Sequence, residues 1–177
     1  MKVLKDSVIY LFGEVLSKIF PFFLLPYLTR NLSINGFAEY SYLYSLYVLF
    51  SIIMLISQDG VISRYYFYYG KRCQPVVFIA GLTISLCIMI AFFVLFNILD
   101  MSQYIVICIA SLSTSLISVQ LRLRQCRKHA ISYVKIVLFN TLLTFIFTVS
   151  VFELYGGNEY TFFYCLTFSN ILVLYLR

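Results

Sequence analysis

The chain has 177 residues, of which 62% are hydrophobic and only 11% charged, and its mean hydropathy is +0.94. A soluble domain of this size cannot hide so much apolar side chain, so composition excludes a water-soluble globular protein and points to a polytopic membrane protein. The formal net charge of +6 needs no nucleic acid to explain it, because the cations fall on loops between apolar segments.

A helix needs roughly 20 residues to cross about 30 Å of hydrocarbon. Six windows meet that length, at about 8–29, 37–57, 75–99, 103–121, 131–152 and 160–176. They are too long and too continuously apolar for barrel strands, which alternate over about 10 residues. The fold class expected is therefore all-α: one bundle of about six transmembrane helices occupying residues 1–177.

The first window follows Lys2 and Lys5 as a secretory signal would, yet it carries Glu14, Lys18, Pro21 and Pro26 and has no small-x-small cleavage site. It reads as a retained span. A lysine facing lipid at mid-span costs about 2.5–3.5 kcal/mol, so Lys18 should face protein or water. Glu14 precedes it by one helical turn in the favourable acid-before-base order. Ser7, Glu14 and Pro21 recur on the same face, and the prolines predict a bend or local unwinding. Two readings follow. The pair neutralises itself and locks the helix against a neighbour, or the face lines an aqueous cavity in which Lys18 binds an anionic group and Glu14 serves proton or ion coupling.

The second window can continue helically to Tyr69 and ends in a charged constellation, Asp59 and Arg64 around Gly60. At a helix end both charges are also ordinary. The run Tyr65-Tyr66-Phe67-Tyr68-Tyr69 reads as an interfacial aromatic belt rather than a base-stacking platform. Pro75 opens the third window, where its missing N–H costs little. In the fourth, Ala110, Thr114 and Ser118 form a small-residue stripe that permits close helix approach. The cluster Arg122, Arg124, Arg127 and Lys128 is foremost a topology signal, with anionic headgroups or a pyrophosphate as the functional option. His129 reads as a solvated loop residue beside it, with a proton sensor as the sharper option, and Lys135 can snorkel to the surface. Asn140, Thr144 and Asn170 either bond across helices or line a cavity.

Lys2, Lys5, Arg64, Lys71, Arg72, the Arg122–Lys128 cluster and Arg177 all belong to one side of the membrane, against Arg30 alone on the other, which also holds Glu39, Asp100, Glu153 and Glu159. The positive-inside rule makes the N-terminus cytoplasmic. Cys73, Cys87, Cys108, Cys126 and Cys165 have neither C-x-x-C nor metal-ligand spacing and read as apolar fillers. No catalytic triad, phosphate-cradling glycine loop or metal site is legible, so neither an enzyme nor a cofactor is expected. An integral-membrane transferase would need paired loop carboxylates or a His-Asp constellation, which are not found. Asn31-Leu32-Ser33 is formally a glycosylation sequon that matters only in a eukaryotic host.

Ser17-Lys18, the proline-containing second half of the first span, Leu28-Thr29-Arg30-Asn31-Leu32, Gly36-Phe37 and Tyr40 resemble the start of Wzx-type polysaccharide flippases, of the multidrug/oligosaccharidyl-lipid/polysaccharide exporter superfamily. Gln58-Asp59-Gly60-Val61-Ile62-Ser63-Arg64-Tyr65-Tyr66 resembles the pattern closing their second helix. The resemblance covers about the first 72 residues; beyond Pro75 only hydropathy and loop pattern agree. It implies a protein of the bacterial inner membrane that moves an undecaprenyl-pyrophosphate-linked oligosaccharide to the periplasmic leaflet for O-antigen or capsule assembly. Lys18 and Arg64 match positions of cavity cations for the pyrophosphate, with Glu14 and Asp59 as possible coupling acids. Such flippases have two bundles of six helices, so this chain corresponds to the N-terminal bundle. A second copy or a missing C-terminal half would complete the cavity, and a truncated reading frame is one expectation. The alternative is a non-transporting subunit or scaffold of a polysaccharide assembly complex.

Overall fold

The computed structural model describes the backbone of residues 2–56, 58–70 and 74–175, with side chains throughout except at 2–6 and 102. Lys71, Arg72, Cys73 and Arg177, and the side chains of Lys2 and Lys5, lie outside what is described. Among the described residues the chain is all-α. Its elements are α1 (Lys2–Asn31), α2 (Ile34–Leu55), α3 (Gln58–Tyr69), α4 (Gln74–Ile98), a 3-10 turn (Ser102–Tyr104), α5 (Ile105–Cys126), α6 (Ala130–Tyr155) and α7 (Thr161–Tyr175).

Five helical stretches are long and apolar enough to cross a membrane: Ser7–Asn31, Ile34–Tyr69, Gln74–Ile98, Ile105–Cys126 and Ala130–Tyr155. The sixth expected span falls on α7, whose 15 described residues rise about 22 Å. α1 stays helical through Pro21 and Pro26, so the unwinding expected there is not observed. Both prolines are exposed, which leaves room for the rings, and membrane helices accommodate the lost N–H by small local adjustments.

The continuation of the second span to Tyr69 is real but interrupted. Ile56 adopts φ 38°, a left-handed conformation rare for a β-branched residue, and it separates α2 from α3. With 22 residues, α2 alone rises about 33 Å, so it can cross the hydrocarbon and carry α3 to the headgroup zone. Tyr65, Phe67, Tyr68 and Tyr69 are exposed at the far end of α3, as an interfacial belt requires.

The chain divides into two compact units, Met1–Tyr42 with Arg127–Arg177, and Leu43–Cys126. In the first, α6 packs between α1 and α7. Tyr10 meets Tyr133, Phe20 meets Phe145 and Tyr27 meets Phe152, at ring-centroid separations of 5.2, 5.9 and 6.1 Å. The order is the same along both helices, so α1 and α6 run parallel. Gly13 allows this approach, because a Cβ there would collide with Val134.

In the second unit α5 is buried on almost every face; Ile107, Ala110 and Ser111 are wholly inaccessible. Its hydroxyls turn back on their own helix: Ser111 donates to the Cys108 carbonyl, Ser113 and Thr114 to that of Ala110, and Ser115 to that of Leu112. A hydroxyl satisfied in this way presents a small surface, so neighbouring helices can close in. Phe50 meets Phe92 in a tilted contact at a ring-centroid separation of 4.8 Å, and Tyr47 and Thr114 share a hydrogen bond of 2.9 Å.

Candidate functional site

The ionisable residues singled out in the sequence are divided between the two units. In the first, Ser17 is 3% exposed and its hydroxyl donates back to the Glu14 carbonyl of its own helix at 2.7 Å, so a small satisfied side chain sits on the buried side of α1. Glu14 lies at the edge of that contact, and its carboxylate accepts a hydrogen bond from the Tyr133 hydroxyl. No ion pair joins Glu14 to Lys18 among the described residues. Of the two readings of their spacing, the described contacts do not contain the self-neutralising pair; the Glu14 carboxylate is held instead by a phenol on another helix. Lys18 is exposed, about 120° around α1 from the buried line through Gly13, Ser17, Leu24 and Leu28.

In the second unit Asp59 pairs with Arg122 rather than Arg64. Arg122 Nη2 donates to Asp59 Oδ2 at 2.8 Å, while Nη1 donates to Gln125 Oε1 at 2.9 Å. The other carboxylate oxygen, Oδ1, accepts from the Gly60 N–H at 2.8 Å. Arg64, five residues on, lies about 140° around α3 from Asp59 and is exposed. Arg122 entered the sequence reading only as a member of the Arg122–Lys128 cluster, and its pairing with Asp59 was not expected there.

Beside the ion pair lies a buried polar knot. Gln58 Nε2 donates to the Gly81 carbonyl and to Ser85 Oγ, both at 2.6 Å. Ser85 Oγ in turn donates to the Met54 carbonyl at 2.8 Å. The break at Ile56 frees carbonyls at the end of α2, and Ser85 satisfies one of them, so the interruption costs no stranded acceptor at Met54. Gly81 is required here, since a Cβ would lie 2.6 Å from Gln58 Cδ.

Asn140, Thr144 and Asn170 belong to packing. Asn140 Nδ2 donates to Asn170 Oδ1 at 3.0 Å, Thr144 and Ser169 share a bond of 2.6 Å, and Asn170 is 2% exposed. Cys108, Cys126 and Cys165 are buried free thiols and Cys87 is an exposed one. No group of three or more metal-ligating side chains occurs among the described residues.

Long apolar helices, a parallel α1–α6 contact and polar groups satisfied across helices define a multi-pass α-helical membrane protein. No protein-family model matches the chain, and no solved structure matches it. It is similar to Lsg locus protein 1 of Haemophilus influenzae, with 40% identity over 158 residues, 89% of this chain and 39% of the relative. It is likewise 39% identical over 156 residues, 88% of this chain and 38% of the relative, to an uncharacterized membrane protein of the same bacterium. The chain therefore spans about two fifths of the length of the curated relatives it matches.

Proposed function

We propose that this chain forms the N-terminal helical part of a flippase that moves an undecaprenyl-pyrophosphate-linked oligosaccharide across the bacterial inner membrane, with its N-terminus in the cytoplasm. The observation that carries this reading is Lys18: a cation near the middle of a span, on the exposed side of α1, turned away from the α6 contact. Lipid would charge about 2.5–3.5 kcal/mol for that position, and a water-filled cavity entered by a phosphate removes the cost. The one-sided distribution of loop cations supports the orientation, and the resemblance of the first 72 residues to Wzx-type flippases supports the substrate class. In this reading Lys18 and Arg64 are the substrate-binding cations, and Glu14 and Asp59 are the coupling acids, Glu14 positioned by Tyr133.

The test is export of surface polysaccharide in a host lacking its own flippase, with protein abundance followed in parallel. Lys18→Ala abolishes export at normal abundance and Lys18→Arg retains part of it; unchanged export with Lys18→Ala overturns the proposal. The hydrogen bond from Tyr133 to Glu14 favours a second reading, a non-transporting membrane subunit in which ionisable residues only fasten helices. In that case replacing Glu14 and Lys18 together by apolar residues of similar size preserves both abundance and activity.

A further inference from the structure

The Asp59–Arg122 pair has a geometry suited to exchange rather than to permanent bonding. Arg122 offers a planar fork, yet Asp59 engages only one of its two terminal nitrogens, and Gln125 holds the other. The arginine side chain is 41% exposed and the aspartate side chain 29%, so an ion from the aqueous side can reach both. A phosphate group presents several oxygens and can take the fork bidentately, which this carboxylate does not do.

Release does not strand Asp59. It sits in the first turn of α3, where a negative charge is favoured by the helix dipole, and its Oδ1 keeps the Gly60 N–H. Arg124, two residues beyond Arg122, adds to the positive field that an incoming anion meets. The pair is a polar link from α3 to α5, and near it the Cys126 thiol lies against Ser63 Oγ at 3.8 Å. Ile62, 1% exposed, is the buried apolar residue of α3.

We infer that Asp59–Arg122 is an anion-exchangeable latch: a phosphate-bearing group takes Arg122 from Asp59, and α3 loosens from the end of α5. The flippase reading enters only in naming diphosphates as the natural anion; the exchange depends on the geometry of this unit alone.

The distance between Ser63 and Cys126 supplies the readout. In a variant carrying Ser63→Cys, with Cys73, Cys87, Cys108 and Cys165 replaced by serine or alanine, the introduced thiol and Cys126 are cross-linked oxidatively in purified protein in lipid nanodiscs. Without anion the cross-link forms readily. Inorganic pyrophosphate at millimolar concentration slows it at least 5-fold, and sodium chloride of matched ionic strength does not. Adding Asp59→Asn makes the cross-link slow from the start and indifferent to pyrophosphate. A parallel arm places farnesyl diphosphate in the nanodisc: slowing there and not with the soluble ion assigns the anion to a lipid headgroup, whereas slowing by both assigns it to phosphate from either source.

Equal rates with and without both anions overturn the latch, as does equal slowing by salt, or failure to cross-link in the absence of anion. Because no transport is measured, a latch that responds in a protein whose export ignores Lys18→Ala preserves this inference while the flippase reading falls. The converse result separates them equally well.

Discussion

Hydroxyls bond back to their own helices in both units, and the units differ in which side chains carry the bonds that cross between helices. In the unit of α1, α6 and α7, side chains bond to side chains across helices: Asn140 to Asn170, Thr144 to Ser169, Tyr133 to Glu14 and Tyr27 to Glu153. In the unit of Leu43–Cys126, the hydroxyls of α5 bond mostly to their own backbone, and cross-helix polarity is concentrated in the Gln58 knot and the Asp59–Arg122 pair. The difference teaches that serine content alone says little about interhelical bonding. Small hydroxyls let helices approach and then lose their polarity to the backbone, whereas amides are long enough to reach a neighbour.

That contrast can be broken most directly at the knot. Gly81→Leu drives Gln58 out of its site and leaves buried amide and hydroxyl groups unpaired, with an expected loss of about 3 kcal/mol. Reversible unfolding in mixed detergent micelles measures it, and a loss no larger than that of a surface change would remove the knot from the account of the α2–α3 break. Next is Asn170→Leu in the other unit, which deprives Asn140 of its acceptor and should cost about 1–2 kcal/mol in the same assay.

A double-mutant cycle between Thr144→Val and Ser169→Ala should return a smaller coupling, about 0.6 kcal/mol, since polar pairs in membranes find other partners when unfolded. A coupling of zero would make the first unit resemble the second. Ser115→Ala should change stability least, by under about 0.5 kcal/mol, because its hydroxyl serves only the Leu112 carbonyl. If Ser115→Ala matches Asn170→Leu in cost, the distinction between back-bonded and bridging polarity fails.

The helix content was readable from the chain because each window of about 20 apolar residues has few alternatives in a membrane. The small-residue stripe of α5 also announced a tightly packed helix, and Ala110 is wholly buried there. The second window ended at 57, where Ser57-Gln58-Asp59-Gly60 closes the apolar run, so a boundary there was readable, whereas the left-handed conformation of Ile56 that makes the break has no local signature. The site was less legible than the fold. Spacing suggested that Glu14 would find Lys18 one turn away and that Asp59 would stand with Arg64, whereas their partners lie on other helices, Tyr133 at 119 residues' separation and Arg122 at 63.

Hydrophobic length, a property of short windows, thus determined by itself that the chain is a multi-pass helical protein. Which faces of α1 and α3 meet α6 and α5 was decided only in the tertiary structure. Helical spacing places a side chain on a face but cannot say which neighbouring helix that face will meet. In a membrane, where lipid is as apolar as leucine, that choice rests on close packing at positions such as Gly13 and on the few polar groups that must find partners.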